Sequence, residues 1–476
     1  MKKTKIIATI WPATSNEKKL IGLYNAWVNI IRFNFSHANY EEAKEKIKII
    51  NKINEEGLTN LSLLIDTKWP EIRTWELKEK NTYKKSEIFK IYTDEKIKLK
   101  QKDLYCDYPY ITQDLKRWDN IVIDSWLLNV KVLNTKKWYI EVKALNNAEI
   151  WSKRHINLPW TDLRLPWITK KDKKDIIFAL ENDFSFIAAS FIRTAENVKE
   201  IKKILKQYNK TKVKIIAKIE NQQWIDNIDE IIEESDWIMV ARWDLWIEVP
   251  IEKLALYQRE IIEKAKIAWK FIIIATHLLE TMIYNPFPTR AESSDIFNSI
   301  LQKPDCLMLS WETAIWRYPV STVEMMTKII KESEKNLKYE HSNYSNKWLS
   351  IRNIEKKLLI RSGIYIWEEL WVKAMILLTK SWLLARIASA FRPWIKVYAF
   401  TKYKSSVKTM NSLFWIEPIF LKNWDQENFD KTLKEAIKYL QNKKIIKKED
   451  KVVAINDLQT QLKEIPIMEI VSLNDI

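Results

Sequence analysis

The chain has 476 residues, 47% hydrophobic and 30% charged, which excludes a disordered polymer and is enough for two to four domains with sizeable cores. With 79 basic and 62 acidic residues it carries a net charge of +17, pointing to nucleic acid or to anionic metabolites such as phosphates and carboxylates. Two cysteines exclude a disulfide framework, and no apolar run, including that of the N-terminal MKKTKIIATIWP, is long enough for a membrane span or signal peptide, so a cytoplasmic location is expected.

In chain order, KIIATI (5–10), VNIIRF (28–33) and LSLLID (61–66) are continuously apolar, the mark of strands buried on both faces. Between Thr74 and about Asn157 the pattern breaks. Shorter alternating runs there (EIFKIYT, NIVIDS, NVKVLN, WYIEVKA) predict a small all-β domain over 75–157. The apolar runs resume with FSFIAASF (184–191), KVKIIAKIE (212–220), WIMVAR (237–242), KFIIIAT (270–276) and DCLMLS (305–310). Segments of helical period such as TAENVKEIKKILKQYN separate them, so the α/β class is expected: a (β/α)8 barrel over 1–74 and 158–335. A polar link, EKNLKYEHSNYSN, leads to a C-terminal α/β domain over 336–476, with strands near AMILLT (374–379), IKVYAF (395–400) and KVVAIN (451–456). Lysine runs such as KEKIKIINK and KKDKKD read as solvated helix faces and account for much of the charge.

In such barrels the chemistry sits at the C-terminal ends of the strands. Those ends carry Arg32, Asn34 and Ser36; Asp66 and Thr67; Lys218 and Glu220; Asp244; Thr276; and Ser310 and Glu312. A lone Asp there is commonly a helix cap. Lys218, inside an apolar run, requires a partner or a cavity. Together the set suits Mg2+ held by carboxylates with substrate oxygens, and a phosphoryl group met by Lys and Arg. The four histidines, His37, His155, His277 and His341, lack zinc-ligand spacing.

Glycine is scarce and tryptophan abundant: 3 against 24, where average usage predicts roughly 33 glycines. In DWIMVARWDLWIEVP (236–250), Trp243 and Trp246 bracket Asp244 where the chain leaving a strand is expected to tighten into a turn.

The blocks ATIWPAT (8–14), NIIRFNFSHA (29–38), DTKWPEIRT (66–74), NLPW (157–160), IIAKIENQQW (215–224), DWIMVARWDLWIEVP, ATHLLETM (275–282), NPFPTRAE (285–292) and MLSWETAIWRYPV (308–320) resemble the pyruvate kinase family, in its order and spacing, over essentially the whole chain. In that family nearly every tryptophan position in these blocks is glycine. The resemblance therefore implies that UGA codons read as glycine in the cell are written here as Trp. Forcing such residues into left-handed turns costs about 1–2 kcal/mol each, which over half the positions rivals a total stability of about 5–15 kcal/mol.

The resemblance implies transfer of the phosphoryl group of phosphoenolpyruvate to ADP, giving ATP and pyruvate, the last step of glycolysis. It assigns Lys218 to the phosphoryl group in transfer, and Glu220 and Asp244 to Mg2+ or Mn2+. Arg32, Asn34, His37, Arg73 and Arg154 fall at phosphate and nucleotide positions. Asn34, Ser36, Asp66 and Thr67 match the K+ site, with Glu71 in the form typical of K+-dependent members. Thr276, Ser310 and Glu312 match the proton-delivery positions, and the backbone amide of Trp243 faces the substrate carboxylate. His277 replaces a glutamine, a change expected to be tolerated. The 75–157 domain corresponds to a lid, TKSW (379–382) to a phosphate loop for a sugar-phosphate effector, and the assembly to a homotetramer. Neither nucleic acid nor membrane is expected as a partner. A nucleic-acid binder would interleave Trp with Lys and Arg on strands, whereas Trp here occupies turn-like motifs such as KWPE and SWET. Another barrel enzyme acting on phosphoenolpyruvate or pyruvate would lack DTKWPEIRT and the inserted lid. An inactive homologue would differ from an enzyme only in its tryptophans.

Overall fold

The computed structural model describes the chain apart from residues 1, 15, 37, 69–70, 78, 95, 98, 101, 160, 162, 165–167, 316, 339–349, 426–427, 460–463 and 476. Eight parallel strands close a barrel: β1 (Lys5–Thr9), β2 (Val28–Asn34), β3 (Ser62–Asp66), β4 (Phe186–Ala189), β5 (Lys214–Ile219), β6 (Trp237–Ala241), β7 (Phe271–Ala275) and β8 (Cys306–Leu309). Neighbours follow chain order, and β1 pairs with β8 to complete the ring. Each strand lies within the apolar run that predicts it, except that β2 runs one residue further, to Asn34. β3, β6 and β7 are buried at every residue, because helices cover the outside and the other strands fill the inside. The outer helices start where the sequence supplies caps. Asn39 accepts from the amides of Glu41 and Glu42, and Thr169 and Thr289 form capping boxes with Asp172 and Glu292.

Register decides which strand-end residues meet. Arg32 lies opposite Thr9, and Asn34 opposite Asp66. The segment between β3 and β4 builds a six-stranded sheet whose central antiparallel strands are Asn120–Ile123, Leu128–Thr135 and Tyr139–Ala144. It packs a core of its own around Tyr83, Ile91, Val130 and Val142. Two chain segments connect it to the barrel and cross at a bridge between Arg73 and His155.

The C-terminal sheet contains β9 (Ala374–Leu378), β10 (Val397–Thr401), β11 (Ile416–Phe420), β12 (Lys451–Gln459) and β13 (Glu464–Ser472), in the order β11-β10-β9-β12-β13. The sequence reading contains β9, β10 and β12 but neither edge strand. Each edge strand carries a proline, Pro418 or Pro466, which breaks the apolar run and is tolerated where one side of the ladder is unpaired. One apolar cluster runs from Ile7, Leu64, Phe186 and Phe271 inside the barrel to Met375, Leu377, Leu384 and Val453, so the C-terminal sheet and its helices seal the barrel floor.

The expected turn after β6 is instead a short helix, Arg242–Glu248, in which neither Trp243 nor Trp246 has positive φ. Arg242 anchors its start by donating to the carbonyls of Thr276 and His277 and to both oxygens of Asp295. Other tryptophans do sit in left-handed backbone: Trp27 (φ 83°), Trp118 (78°), Trp126 (73°), Trp269 (59°), Trp371 (51°) and Trp415 (59°). Trp224 and Trp237 are fully buried, and their indole N–H groups find no acceptor among the described residues. The Trp of KWPE and the Trp of NLPW lie outside the described residues. Among the described residues no helix is long and apolar enough to cross a membrane.

Candidate active site

Lys218 projects from the end of β5 into the mouth of the barrel. Its ammonium lies 2.9 Å from Ser190 Oγ, 3.3 Å from Asp66 Oδ1 and 2.7 Å from Glu220 Oε1. Arg32 donates from Nε (2.8 Å) and Nη2 (2.6 Å) to Asp66 Oδ2, and from Nη1 to Thr9 Oγ (2.8 Å). β2, β3, β4 and β5 thus deliver one connected cluster, and Thr9 on β1 braces it.

Electrostatics tie the cluster together. Burial alone pushes the Lys218 ammonium down, but Asp66, Glu220 and Asp244 outweigh burial and hold it well above its ordinary value. Burial likewise works against the Asp66 carboxylate, and Lys218 and Arg32 bring it below the usual range. Asp244 behaves oppositely. It keeps some accessible surface, yet the surrounding protein and the facing Glu220 carboxylate push it up to about 8. Glu220 accepts from the Phe191 amide through Oε2 (2.6 Å). Its buried Oε1 touches the Lys218 ammonium but makes no hydrogen bond of good geometry among the described residues. Two facing carboxylates, one carrying such an oxygen and the other with a raised pKa, fit a divalent cation, which removes the repulsion that favours the proton. Among the described residues no group of three or more His, Cys, Asp or Glu has metal-ligand geometry, so a cation at this pair would take its remaining ligands from other groups.

On the opposite side Thr276 ends β7 in a left-handed conformation (φ 66°), an unfavourable position for a β-branched residue and typical of functional strain. Arg242 clamps its carbonyl at 2.6 Å from Nη2. The Trp243 amide, expected to face a substrate carboxylate, donates here to Thr276 Oγ (2.9 Å), because the helical turn brings it over that hydroxyl. The Trp243 ring lies against His277, with centroids 4.4 Å apart; burial and then Arg242 lower that imidazole to about 4. Glu312 curls back to accept from the Ser310 amide (2.6 Å), and burial raises its carboxyl.

Not every predicted residue joins the cluster. Asn34 is turned inward on its own loop, accepting from the Ser36 amide (3.1 Å), and Thr67 donates to the carbonyl of Ala188. Arg73 and Arg154 lie where the two segments that connect the inserted sheet to the barrel cross. Arg73 is bound to Glu71 and His155, and Arg154 is 3.6 Å from Asp124. His37 lies outside the described residues. Thr9 and Ser190 are absent from the sequence reading, although the strand-end rule applied to β1 and β4 finds both.

The family model described as "Pyruvate kinase, barrel domain" matches residues 1–323, and "Pyruvate kinase, alpha/beta domain" matches residues 358–471. A pyruvate kinase of Candida albicans is 36% identical over 473 residues, covering 96% of this chain and 92% of that protein. One of Bacillus licheniformis is 34% identical over 460 residues, covering 95% and 77%. The crystal structure of a pyruvate kinase from Cryptosporidium parvum superimposes with a TM-score of 0.91 at 30% identity, covering 99% of this chain and 96% of that one. With both family models in register and the barrel mouth built as described, this chain belongs to the pyruvate kinase family, enzymes of the transferase class.

Proposed function

We propose that this chain transfers the phosphoryl group of phosphoenolpyruvate to ADP. The phosphorus–oxygen bond to the enol breaks, a bond to the terminal phosphate oxygen of ADP forms, and the enolate carbon takes a proton to give pyruvate. The observation that carries the reading is the Lys218 ammonium, kept charged among Asp66, Glu220 and Asp244 at the end of β5, in a barrel whose β7 leads into the strained Thr276. A fixed cation there stabilises charge spread over the phosphoryl oxygens in transfer. Arg32, held by Asp66 and Thr9, adds a second fixed cation. Burial favours the protonated form of Glu312, which with Ser310 and Thr276 suits proton delivery to the enolate.

Glu220 and Asp244 would hold the Mg2+ or Mn2+, which when bound neutralises substrate oxygens. The amide, hydroxyl and carboxylate oxygens of Asn34, Ser36, Asp66 and Thr67 suit K+, a hard cation. Nucleotide contacts fall to Arg73 and Arg154 as the lid over 75–157 closes on the barrel of 1–74 and 158–335. TKSW offers an anion loop in the domain over 336–476. Thr379, buried at the end of β9, donates to the carbonyl of Ser381, and Ser381 Oγ accepts from the Leu383 amide (3.3 Å). A sugar-phosphate effector, a homotetramer and a cytoplasmic location complete the reading.

The reading includes glycine at the 24 tryptophan positions, from UGA codons read as glycine. Six of the 19 non-glycine residues with positive φ among the described residues are Trp, far above its share of 24 in 476. At about 1–2 kcal/mol each they cost roughly 6–12 kcal/mol, and each buried indole N–H without an acceptor adds about 1–3 kcal/mol. Such a sum competes with total stability of about 5–15 kcal/mol.

The test is to make the chain with Gly and with Trp at the 24 positions and to measure pyruvate released from phosphoenolpyruvate and ADP, with Mg2+ and with or without K+. The expected result is activity confined to the glycine chain, stimulated by K+ and abolished by Lys218→Met. Equal activity of the tryptophan chain sinks the recoding. A folded but inactive glycine chain sinks the enzymatic reading.

A further inference from the structure

The two segments that join the lid to the barrel meet at Arg73 on the outgoing segment and His155 on the returning one. Thr74 donates its amide to the Arg154 carbonyl (2.8 Å), and Ile156 donates to the Ile72 carbonyl (2.7 Å), so the backbone crossing is tight. Three protein acceptors fix the plane of the Arg73 guanidinium. Nε donates to Glu71 Oε2 (2.8 Å), Nη1 to the Lys153 carbonyl (3.0 Å) and Nη2 to His155 Nε2 (2.7 Å). A guanidinium has no acceptor, so His155 Nε2 carries no proton and the ring is neutral, with its proton on Nδ1.

We propose that His155 is a positioning residue for the nucleotide-gripping arm: neutral, it accepts from Arg73 across the lid crossing and aims that guanidinium at the phosphates of ADP. The proposal rests on the reading of Arg73 as a nucleotide contact.

Protonation undoes the arrangement. Nε2 turns from acceptor to donor, and two cations then face each other at 2.7 Å. Glu71 Oε2, already 3.9 Å from His155 Nε2, is drawn from the arginine to the imidazolium. The charged groups around the ring are Glu71, Arg73 and Lys68 from the outgoing segment, Asp124 from the lid, and Lys153 and Arg154 beside His155 itself. Asp107 binds the Arg73 amide (2.6 Å). Burial, opposed by Glu71 and reinforced by Arg73, keeps the imidazole below its ordinary 6.5, so the neutral form prevails at neutral pH and the change comes on acidification.

The test measures KM for ADP and kcat between pH 5.5 and 8 for the wild type, His155→Gln and His155→Ala, with folding of each checked by circular dichroism. A hydrogen bond to a charged partner corresponds to about a tenfold change. The wild-type KM for ADP is expected to rise progressively as pH falls below 6.5, toward about tenfold as the imidazole becomes charged, with kcat following the other chains. H155Q, which accepts without titrating, is expected to keep the low KM and lose that acid limb. H155A is expected to show the high KM at every pH. ADP and the metal ligands titrate too, so comparison at each pH isolates His155. An acid limb persisting in H155Q, or an unchanged KM in H155A, overturns the proposal. Arg73→Gln separates the two failures. If it leaves KM for ADP unchanged in an active enzyme, the underlying site reading falls; if it raises KM while both His155 variants behave as wild type, the role of His155 alone falls.

Discussion

Glu248 closes the helix Arg242–Glu248, buried, with Asn157 Nδ2 donating to its Oε1 (3.1 Å). Burial outweighs that hydrogen bond and pushes its carboxyl up to about 7. The folded chain therefore holds a proton that the unfolded chain releases near the ordinary 4.5. Between those values the folded state binds more protons, so stability falls as pH rises and levels off above about 7. At about 1.4 kcal/mol per pH unit the loss reaches roughly 3 kcal/mol. Glu248→Gln is expected to melt higher than the wild type at pH 8 and to lose part of the decline between pH 5 and 8. Equal melting temperatures of the two chains across that range refute this. Residue identity at such positions is legible in sequence, but environment is not. Lys218 can be singled out because a cation inside an apolar run needs a partner, whereas Glu248 gives no local sign of burial.

At the scale of elements, the helix Ile351–Leu370 ends on Trp371 in left-handed backbone (φ 51°), where the chain must turn back toward β9. This is the position helices usually give to glycine. Trp371 is 84% exposed, so its ring contributes little packing and the backbone penalty stands nearly alone. Trp371→Gly is expected to stabilise the tryptophan chain by about 1 kcal/mol, read as a shifted denaturant midpoint at constant slope. A destabilised variant contradicts it. The barrel strands were readable because parallel strands covered on both faces must be continuously apolar. The short helix after β6 was not, since Arg242 finds Asp295 53 residues away and local pattern is silent on such a partner.

For the whole molecule, a buried ion pair ties the C-terminal sheet to the barrel floor. Arg392 donates from Nη1 and Nη2 to the two oxygens of Asp305, each at 2.7 Å, and Asp305 also accepts from the Ile272 amide of β7 (3.0 Å). Arg392 itself has φ 52°, strain that the surrounding contacts hold in place. Removing one partner leaves a buried charge uncompensated, at a cost of about 3–5 kcal/mol. Arg392→Met is therefore expected to lower the melting temperature and to split calorimetric unfolding into two transitions, the C-terminal domain leaving first. A single transition at the wild-type temperature refutes the coupling.

The sequence by itself determined the architecture, the family, and the strand ends where polar residues collect. Those features depend on periodicity, chain direction and short motifs, which are local. Only the tertiary structure decided that Lys218 is shared by Ser190, 28 residues away, and Asp66, 152 residues away. It also decided that Glu220 and Asp244 face each other, that Arg73 is held by His155, and that six tryptophans stand in left-handed backbone. Partnership across a barrel follows from register and closure, and a charge is set by its neighbours and its depth below the surface; neither is encoded within one stretch of chain.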